Sequence, residues 1–335
     1  MERQPSMILS IIIPCLNEEN RLPATLEALM PQIRSCEGAE VIVVDGGSAD
    51  RTVAIAKKYG AQVVECEKGH GRQRNAGAKC AKGEWLAFLD ADCTVNPNWL
   101  KLGLEIICTG EYDMFAGPIH LPMDGTWIER SWNSHFRSRW LRGIKEQIPT
   151  NAYQLITTGS VFVSRKLFNT IGGFNETLYS GEDTCFSFTV WERKGRIGLI
   201  DGLWFIHRGE PKSLRDFFNQ QVWHCNTSVW KLLASSARSR KVGQNAYKYG
   251  IYQIFTLLLT VFSIPVAILF HQGYLPWLFL CLYALPPIAF ATRACFATGD
   301  FPCFPGLAVL YSAYGLARAG YILKLTKITD KAKRF

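Results

Sequence analysis

Short apolar runs alternate with helically spaced apolar residues through the first third of the chain. Residues 8–13 are apolar except for Ser10, and residues 21–33 carry Leu and Ile at the spacing of an amphipathic helix. Further strands are predicted at 40–44, 61–64, 84–89 and 112–119. Further helices are predicted at 52–59 and 96–107, and a third follows the stretch at 68–78 and ends near residue 82. This alternation predicts an α/β domain with a mostly parallel, Rossmann-like sheet flanked by helices.

Polar residues follow three of these strands at the point where each ends. The three turns are Pro14 to Glu19, Asp45 to Asp50, and Asp90 to Asp92. Because the carboxyl ends of parallel strands share the edge where ligands bind, we expect these turns to lie close together. The carboxylates of Asp90 and Asp92 suit Mg²⁺ or Mn²⁺ bridging phosphates, and Asp45 beside two glycines suits a ribose or base contact. The alternative for Asp90 and Asp92 is an ordinary loop, and that for Asp45 is an ordinary strand-to-helix turn in which Asp50 or Ser48 caps the next helix.

A basic, glycine-rich stretch at 68–78 leads into the helix that ends near residue 82. It contains Arg72, Arg74 and Asn75, and helix N-termini with nearby arginines bind phosphate well. The stretch lacks the Gly-Lys-Ser/Thr of a P-loop and the Gly-x-Gly-x-x-Gly of dinucleotide binders. From the residues alone, a solvated helix face explains Arg74 and Asn75 equally well.

The C-terminal part has a different pattern. Residues 249–292 contain no Asp, Glu, Lys or Arg. This uncharged stretch is long enough for two membrane-spanning helices joined by a turn at 271–273. A buried helical hairpin of a soluble core is the alternative. Residues 304–323 are apolar but interrupted by Arg318, and we expect an interfacial or re-entrant helix there, with a third membrane helix as the alternative.

The net charge of +9 resides in this C-terminal part. Basic residues flank the apolar hairpin on both outer sides, whereas its central turn has none, so the positive-inside rule places both ends in the cytoplasm. The first 235 residues are neutral, which argues against nucleic acid as a partner. The N-terminus has neither the apolar core nor the cleavage site of a signal peptide, and the 11 cysteines show no zinc spacing. A cytosolic domain anchored to the inner membrane is therefore expected.

Four motifs in one order resemble family 2 glycosyltransferases, the inverting enzymes of the GT-A fold, in a membrane-anchored bacterial form. The motifs are Ile11-Ile12-Ile13-Pro14-Cys15-Leu16-Asn17-Glu18, Val43-Val44-Asp45-Gly46-Gly47-Ser48-Ala49-Asp50, Arg74-Asn75-Ala76-Gly77 and Phe88-Leu89-Asp90-Ala91-Asp92. The likeness extends over roughly residues 7–221. It implies a nucleotide-diphosphate sugar donor and a divalent metal cofactor, Mg or Mn.

The resemblance also implies roles for single residues. Glu18 and Asp45 are expected to contact the nucleoside, Arg74 to lie near the diphosphate, and Asp92 to bind the metal with Asp90 as its support. The remaining motif residues are expected to line the nucleotide-sugar site: Pro14, Asn17, Gly46, Gly47, Ser48, Arg72, Asn75 and Ala91.

The second half of the domain adds the catalytic candidates. After a strand at 157–163 and a helix at 165–171, Gly172-Gly173-Phe174 followed by Glu182-Asp183 resembles the family pattern that carries the catalytic base. The resemblance implies Asp183 as the base and Glu182 as its neighbour, whereas composition alone indicates only an acidic start of the helix at 185–194. His207, after a strand at 199–206, is expected to bind the metal or the diphosphate; a structural role is equally well supported.

Two segments bear on the acceptor. Residues 124–154 are rich in Trp and Arg and suit either the lipid headgroup level or sugar stacking, with packing between domains as the alternative. A long helix is predicted at 213–233. Its Gln220-Gln221-Val222-Trp223-His224 lacks the Gln-x-x-Arg-Trp of processive synthases in the family, which argues against polymerisation.

The expected organisation is a GT-A domain at 1–235, a basic juxtamembrane linker at 236–248, a transmembrane hairpin at 249–292, and an interfacial or third membrane helix with a basic tail at 293–335. The expected function is transfer of one sugar to a lipid-linked glycan or polyprenyl phosphate at the cytoplasmic membrane face. Two alternatives are kept: a nucleotidyltransferase of similar sheet architecture, and a catalytically silent membrane scaffold.

Overall fold

The computed structural model describes residues 8–145, 156–225, 240–271 and 273–322. The chain divides into two compact units. The first unit comprises residues 1–122 and 142–209, and the second comprises residues 123–141 and 210–335. The first unit is therefore smaller than the predicted domain at 1–235, because residues 123–141 and 210–225 group with the C-terminal helices.

A seven-stranded sheet forms the centre of the first unit. Its order is β3-β2-β1-β4-β8-β6-β9, and its strands are β1 (Leu9–Cys15), β2 (Ala39–Asp45), β3 (Gln62–Glu65), β4 (Trp85–Leu89), β6 (Met114–Ala116), β8 (Ser160–Ser164) and β9 (Ile197–Leu199). The first four strands run parallel, and β8 lies antiparallel between β4 and β6. The predicted mostly parallel sheet is confirmed. The parallel arrangement brings the turns after β1, β2 and β4 to one edge.

Helices cover the sheet where the apolar spacing predicts them. They are α1 (Leu22–Arg34), α2 (Thr52–Lys58), α3 (His70–Cys80), α4 (Trp99–Thr109), α6 (Arg165–Ile171) and α7 (Glu182–Glu192). Leu22, Leu26 and Leu29 of α1 are fully buried, as their spacing requires. The side chains of β1 and β2 are buried almost throughout, as expected for strands covered on both faces.

A small second sheet corrects two predicted strands. The predicted strand at 112–119 is divided between β6 and β7 (Ile119–His120), and Gly117, between the two, packs tightly against the carbonyl of Leu203. The predicted strand at 199–206 is divided between β9 and β10 (Phe205–His207) by a 3₁₀ turn at 201–203. In addition, β5 (Cys93–Val95) pairs with β10, so that Cys93 stands opposite His207.

The second unit is helical in its described part. Helix α5 (Trp127–Lys145), of which residues up to 141 belong to this unit, is followed by α8 (Leu214–Trp223), α9 (Arg240–Leu269), α10 (Leu275–Thr298) and α11 (Phe304–Ile322). Trp132 of α5 packs edge-on against Phe217 of α8, and both join Leu307 and Leu310 of α11 in one apolar core. The Trp- and Arg-rich segment is thus helical from Trp127 to Lys145, and its part up to residue 141 packs with the C-terminal helices of the same unit, whereas residues 146–154 lie outside the described residues.

Within the described ranges, two helices are long and apolar enough to cross a membrane, at Lys248–Leu269 and Leu275–Thr298. Their outward apolar side chains are largely exposed, for example Phe262 at 66% and Trp277 at 68%. The predicted linker is helical from Arg240 onward. The predicted end of the helix at 233, Gln272 of the predicted turn and the basic tail after 322 lie outside the described residues.

Candidate active site

The turns after β1 and β2 are joined by side chains that the sequence motifs contain. Asn17 adopts a left-handed backbone conformation with φ of 56°, its Oδ1 accepts a hydrogen bond from the Ala49 amide at 2.8 Å, and its own amide donates to Ser48 Oγ at 2.9 Å. The Glu18 amide donates to Thr52 Oγ1 at 2.7 Å. Pro14, inside β1, is buried beside these turns. The predicted contact between the first two motifs is therefore present.

Asp45 organises the second turn. The carboxylate accepts hydrogen bonds from the amides of Gly47 and Ser48 at 3.0 and 2.9 Å, and from the Ser48 hydroxyl. The side chain is 3% exposed, and Gly46 donates its amide to the Cys15 carbonyl at 2.9 Å. Asp45 thus lies at the predicted edge, where it fixes the shape of the turn; its contact with the nucleoside stays a prediction.

Gln73 is a site-shaping residue that the sequence did not single out. Its Nε2 donates to the carbonyls of Cys15 and Val44 at 2.8 and 2.9 Å, so it ties α3 to the ends of both β1 and β2. The side chain is 4% exposed, and a Cβ added at Gly46 would lie 3.1 Å from it. Gly46 therefore leaves the room in which this amide packs.

Asn75 and Arg72 connect α3 to the loop before α7. Asn75 Nδ2 donates to the Phe174 carbonyl and Oδ1 accepts from the Phe174 amide, both at 2.9 Å. The exposed Arg72 pairs with Glu67, and its Nε lies 3.8 Å from Glu176. Asn75 thus holds the Gly-Gly-Phe motif in place, and the predicted ligand contacts of these two residues stay predictions.

Arg74 lies at the centre of a buried ionic cluster. Its two terminal nitrogens reach Asp90 Oδ1 at 2.6 Å and Glu182 Oε1 at 2.7 Å, and its guanidinium carbon lies 5.6 Å from the centre of the Phe174 ring. The side chain is 2% exposed. Arg74 therefore connects the end of β4 to the start of α7, and its guanidinium faces carboxylates of the protein.

The two acidic residues at the start of α7 differ in their electrostatics. Burial opposes ionisation of Glu182, but Arg74, His70 and a backbone hydrogen bond together outweigh it and hold the pKa of Glu182 below its ordinary value. Burial first, and the Glu182 charge second, raise the pKa of Asp183 to about 6. A carboxylate with a raised pKa, such as Asp183 in the first turn of α7, is suited to accept a proton near neutral pH.

Asp92 and His207 face each other beside Cys93. His207 Nε2 lies 3.3 Å from Asp92 Oδ1, and within the described ranges these three residues are the group whose ligand atoms all lie within 4.8 Å of one another. The sequence predicted two of the three. Asp90 lies outside the group because it pairs with Arg74, and Ala91 accepts a hydrogen bond from Thr25 at its carbonyl.

The donor atoms of this group fit a divalent metal. Although burial opposes it, the neighbouring His207 and Arg21 hold the pKa of Asp92 at about 2, so the carboxylate is ionised. A Cβ added at Gly209 would lie 2.2 Å from Asp92 Oδ2 and 3.0 Å from His207 Nε2, so glycine at this position lets both side chains pack closely against the backbone. Carboxylate oxygen and imidazole nitrogen suit Mn²⁺, whereas burial raises the pKa of the Cys93 thiol and keeps it neutral.

Arg21, at the entrance to α1, links this group to Glu18. Its Nε lies 2.9 Å from Glu18 Oε2, its Nη2 donates to Glu18 Oε1 at 3.1 Å, and its Nη1 lies 3.4 Å from Asp92 Oδ2. Burial raises the pKa of Glu18 to about 7 against the opposing effect of Arg21. No motif marked Arg21, because its significance comes from a contact 71 residues away.

Known proteins carry the same pattern. The family model described as Glycosyl transferase family 2 matches residues 10–172. The glycosyltransferase AglE of Haloferax volcanii is 30% identical over 184 residues, covering 52% of this chain and 58% of that protein. The dolichyl-phosphate beta-glucosyltransferase of Drosophila melanogaster is 37% identical over 122 residues, covering 32% of this chain and 37% of that protein. The chain thus spans less than two thirds of these relatives.

A solved structure supports the fold. The mannosyltransferase PcManGT of Pyrobaculum calidifontis, in complex with GDP-Man and Mn²⁺, aligns with a TM-score of 0.58 over 95% of this chain and 88% of that chain. The sequence identity is 14%, so this likeness concerns the fold. Together with the sheet order, it confirms the expected GT-A type architecture.

Proposed function

From the premise that this chain belongs to glycosyltransferase family 2 and is a glycosyltransferase, we propose that it transfers a single sugar from a nucleotide-diphosphate donor with inversion at the anomeric carbon. The observation that carries the proposal is that the site contains both Asp183, whose pKa is about 6, and a separate group, Asp92 and His207, that suits a metal. A base and a leaving-group site are the two parts that an inverting displacement needs.

The donor occupies the edge formed by the turns after β1, β2 and β4. In this proposal Glu18 and Asp45 contact the nucleoside. Asp45 also fixes the turn at 45–48, which lies at the same edge. The glycine-rich turn at Gly46 and Gly47 allows close approach of the donor to the backbone, since Gly47 has a φ of +91° and open space around it.

The transfer is a single displacement. The acceptor hydroxyl oxygen forms a bond to the anomeric carbon, the bond from that carbon to the β-phosphate oxygen breaks, and its electron pair leaves with the nucleoside diphosphate. Asp183 takes the hydroxyl proton, which suits a carboxylate that is ionised at pH 7 and only moderately acidic. A divalent metal held by Asp92 and His207 would neutralise charge on the diphosphate.

Arg74 supports this reaction by positioning other side chains, and its expected place near the diphosphate stays a prediction. Its buried guanidinium fixes Glu182 and thereby the first turn of α7, which carries Asp183. It fixes Asp90 at the same time, next to the metal-binding Asp92. The proposed base and the proposed metal site are thus held by one side chain.

The proposed acceptor is a lipid-linked glycan or a polyprenyl phosphate at the cytoplasmic face of the inner membrane. Two helices long and apolar enough to cross a membrane support this, as does the similarity to a dolichyl-phosphate beta-glucosyltransferase. Basic residues at both outer flanks of the hairpin favour cytoplasmic ends. The proposal is a monosaccharide transfer in envelope polysaccharide or glycolipid synthesis.

The test uses the purified full chain in lipid nanodiscs with a panel of UDP- and GDP-sugars. Release of nucleoside diphosphate is measured with Mn²⁺, with Mg²⁺ and with EDTA, each with and without polyprenyl phosphate, and proton NMR of the product gives the anomeric configuration. We expect metal-dependent release that polyprenyl phosphate stimulates, and none from Asp183→Asn. Release that is insensitive to EDTA, or a retained anomeric configuration, would contradict the mechanism.

A further inference from the structure

Arg21 contacts both carboxylates that border the proposed donor site. Two of its nitrogens engage the two oxygens of Glu18 at 2.9 and 3.1 Å, whereas its third nitrogen reaches Asp92 Oδ2 at the longer distance of 3.4 Å. The Arg21 side chain is 37% exposed, compared with 14% for that of Asp92. The cation is therefore held mainly by Glu18, and the contact with Asp92 is the weaker one.

Arg21 contacts a carboxylate that also belongs to the metal-suited group. Asp92 Oδ1 lies 3.3 Å from His207 Nε2, whereas Oδ2 is the oxygen that Arg21 reaches. A metal held by Asp92 and His207 would accordingly use the same carboxylate as Arg21. Two cations on one carboxylate repel each other, so a metal on Asp92 would weaken the contact of Arg21 with that side chain.

We propose that Arg21 is an internal counter-ion of Asp92 and becomes a ligand of the donor diphosphate once a divalent metal binds Asp92. The proposal rests on the proposed function, since it assumes a nucleotide-diphosphate donor and a divalent metal. Glu18 retains its two contacts throughout, so release from Asp92 leaves the guanidinium paired. The released nitrogen then lies beside the metal, where the negative diphosphate is expected, and arginine binds phosphate well.

Removal of Arg21 should therefore change two affinities in opposite directions. Mn²⁺ alone should bind more tightly, because it no longer displaces an internal cation. A nucleoside diphosphate, in the presence of saturating Mn²⁺, should bind less tightly, because a phosphate ligand is lost. A purely structural role of Arg21 predicts instead that both affinities fall together, so the signs separate the two explanations.

The experiment compares the full-length wild type with Arg21→Met, which keeps an apolar stem of similar length and removes the charge. Free Mn²⁺ is measured by electron paramagnetic resonance in a titration without nucleotide. Binding of UDP and of GDP is measured by calorimetry at saturating Mn²⁺. The matched control is Arg51→Met, because Arg51 is an 82% exposed arginine that pairs with Glu19 close to the same turn.

For Arg21→Met we expect the dissociation constant for Mn²⁺ to fall about two- to fivefold, the range for a partly exposed ion pair. The dissociation constant for the preferred diphosphate should rise about tenfold, as for a lost charge-assisted hydrogen bond. Arg51→Met should change neither. If Arg21→Met does not fold, Arg21→Lys replaces it. Lysine keeps the charge but has a shorter side chain with one nitrogen, so both affinities should change in the same directions as in Arg21→Met, but by less.

Weaker Mn²⁺ binding by Arg21→Met, or both constants within twofold of wild type, would overturn the role of Arg21 and leave the proposed function standing. Wild type that binds no Mn²⁺ would overturn both. Wild type that binds Mn²⁺ but neither UDP nor GDP would contradict the assumed donors and, with them, the second half of the role of Arg21.

Discussion

Glu182→Gln tests how the proposed base acquires its pKa. Glu182 Oε1 accepts the Arg74 hydrogen bond at 2.7 Å, and glutamine keeps an oxygen at that position while removing the charge. The substitution acts on Asp183 in two ways that have the same sign. It removes the negative charge that raises the pKa of Asp183, and it leaves the Arg74 cation, which lowers that pKa, less neutralised.

The size of the effect follows from the ordering of the causes. The pKa of Asp183 rises from 3.8 to about 6, with burial as the larger cause and the Glu182 charge as the second. We therefore expect Glu182→Gln to lower the pKa of Asp183 by roughly one unit, or about 1.4 kcal/mol, while burial keeps it above that of an exposed aspartate. The base must be ionised to accept a proton, so activity falls as the pH drops through this pKa.

The assay is the pH dependence of kcat/KM for sugar transfer between pH 4.5 and 8.5. Wild type should lose activity with an apparent pKa near 6, and Glu182→Gln should shift that acid limb to lower pH by about one unit. Circular dichroism and thermal melting check that the fold is intact. An acid limb that stays in place, in a folded and active Glu182→Gln protein, would show that Glu182 does not tune the base.

Three further substitutions probe the site. Asp183→Asn should abolish turnover and increase the free energy of unfolding at pH 7 by up to about 3 kcal/mol, seen as a higher thermal midpoint, because the raised pKa makes the ionised carboxylate unfavourable in the folded state. This increase in stability should vanish below about pH 4, where aspartate is protonated in both states. An increase that does not depend on pH would contradict the prediction. His207→Ala should weaken Mn²⁺ binding at least about tenfold in an equilibrium titration, whereas Cys93→Ser should leave it within about twofold; equal losses would make the thiol a ligand. Asn75→Ala should lower the free energy of unfolding by about 2 kcal/mol, since it leaves the amide and carbonyl of Phe174 without their partner; an unchanged denaturation midpoint would contradict this.

The sequence allowed much of the site to be located because its residues occur in short motifs at strand ends. Asp45, Asp90 and Asp92 each follow a buried apolar strand, and the parallel pairing of those strands brings them to one edge. The same reasoning placed Glu18 there. The local pattern, together with the rule that parallel strands end at one edge of the sheet, was sufficient to place these residues there. No contact between distant side chains had to be known.

The parts that could not be predicted depend on contacts between distant segments. The pairing of β5 with β10 brings Cys93 opposite His207, and strands of three residues are too short to show a period. Arg21 and Gln73 matter through contacts 71 and 58 residues away. The α5 helix has no clear apolar stripe, because polar side chains also lie on its buried face. Ser131, Ser134 and Ser138 are buried, and His135 Nδ1 bonds the Tyr311 hydroxyl at 2.8 Å.

The burial of Asp183 and the charge of Glu182 raise the pKa of the proposed base, and Arg74 only partly offsets them. Three carboxylates, those of Asp90, Glu182 and Asp183, act on one guanidinium that is 2% exposed, so full ionisation would leave an excess of negative charge in a poorly solvated cluster. Asp90 and Glu182 each have a direct bond to Arg74, whereas Asp183 accepts the Thr184 amide at 2.6 Å. The carboxylate without a direct bond to the cation is the one that takes up a proton most readily. Because Arg74 bonds Asp90 and Glu182 directly, this cluster favours Asp183 over Glu182 as the proposed base.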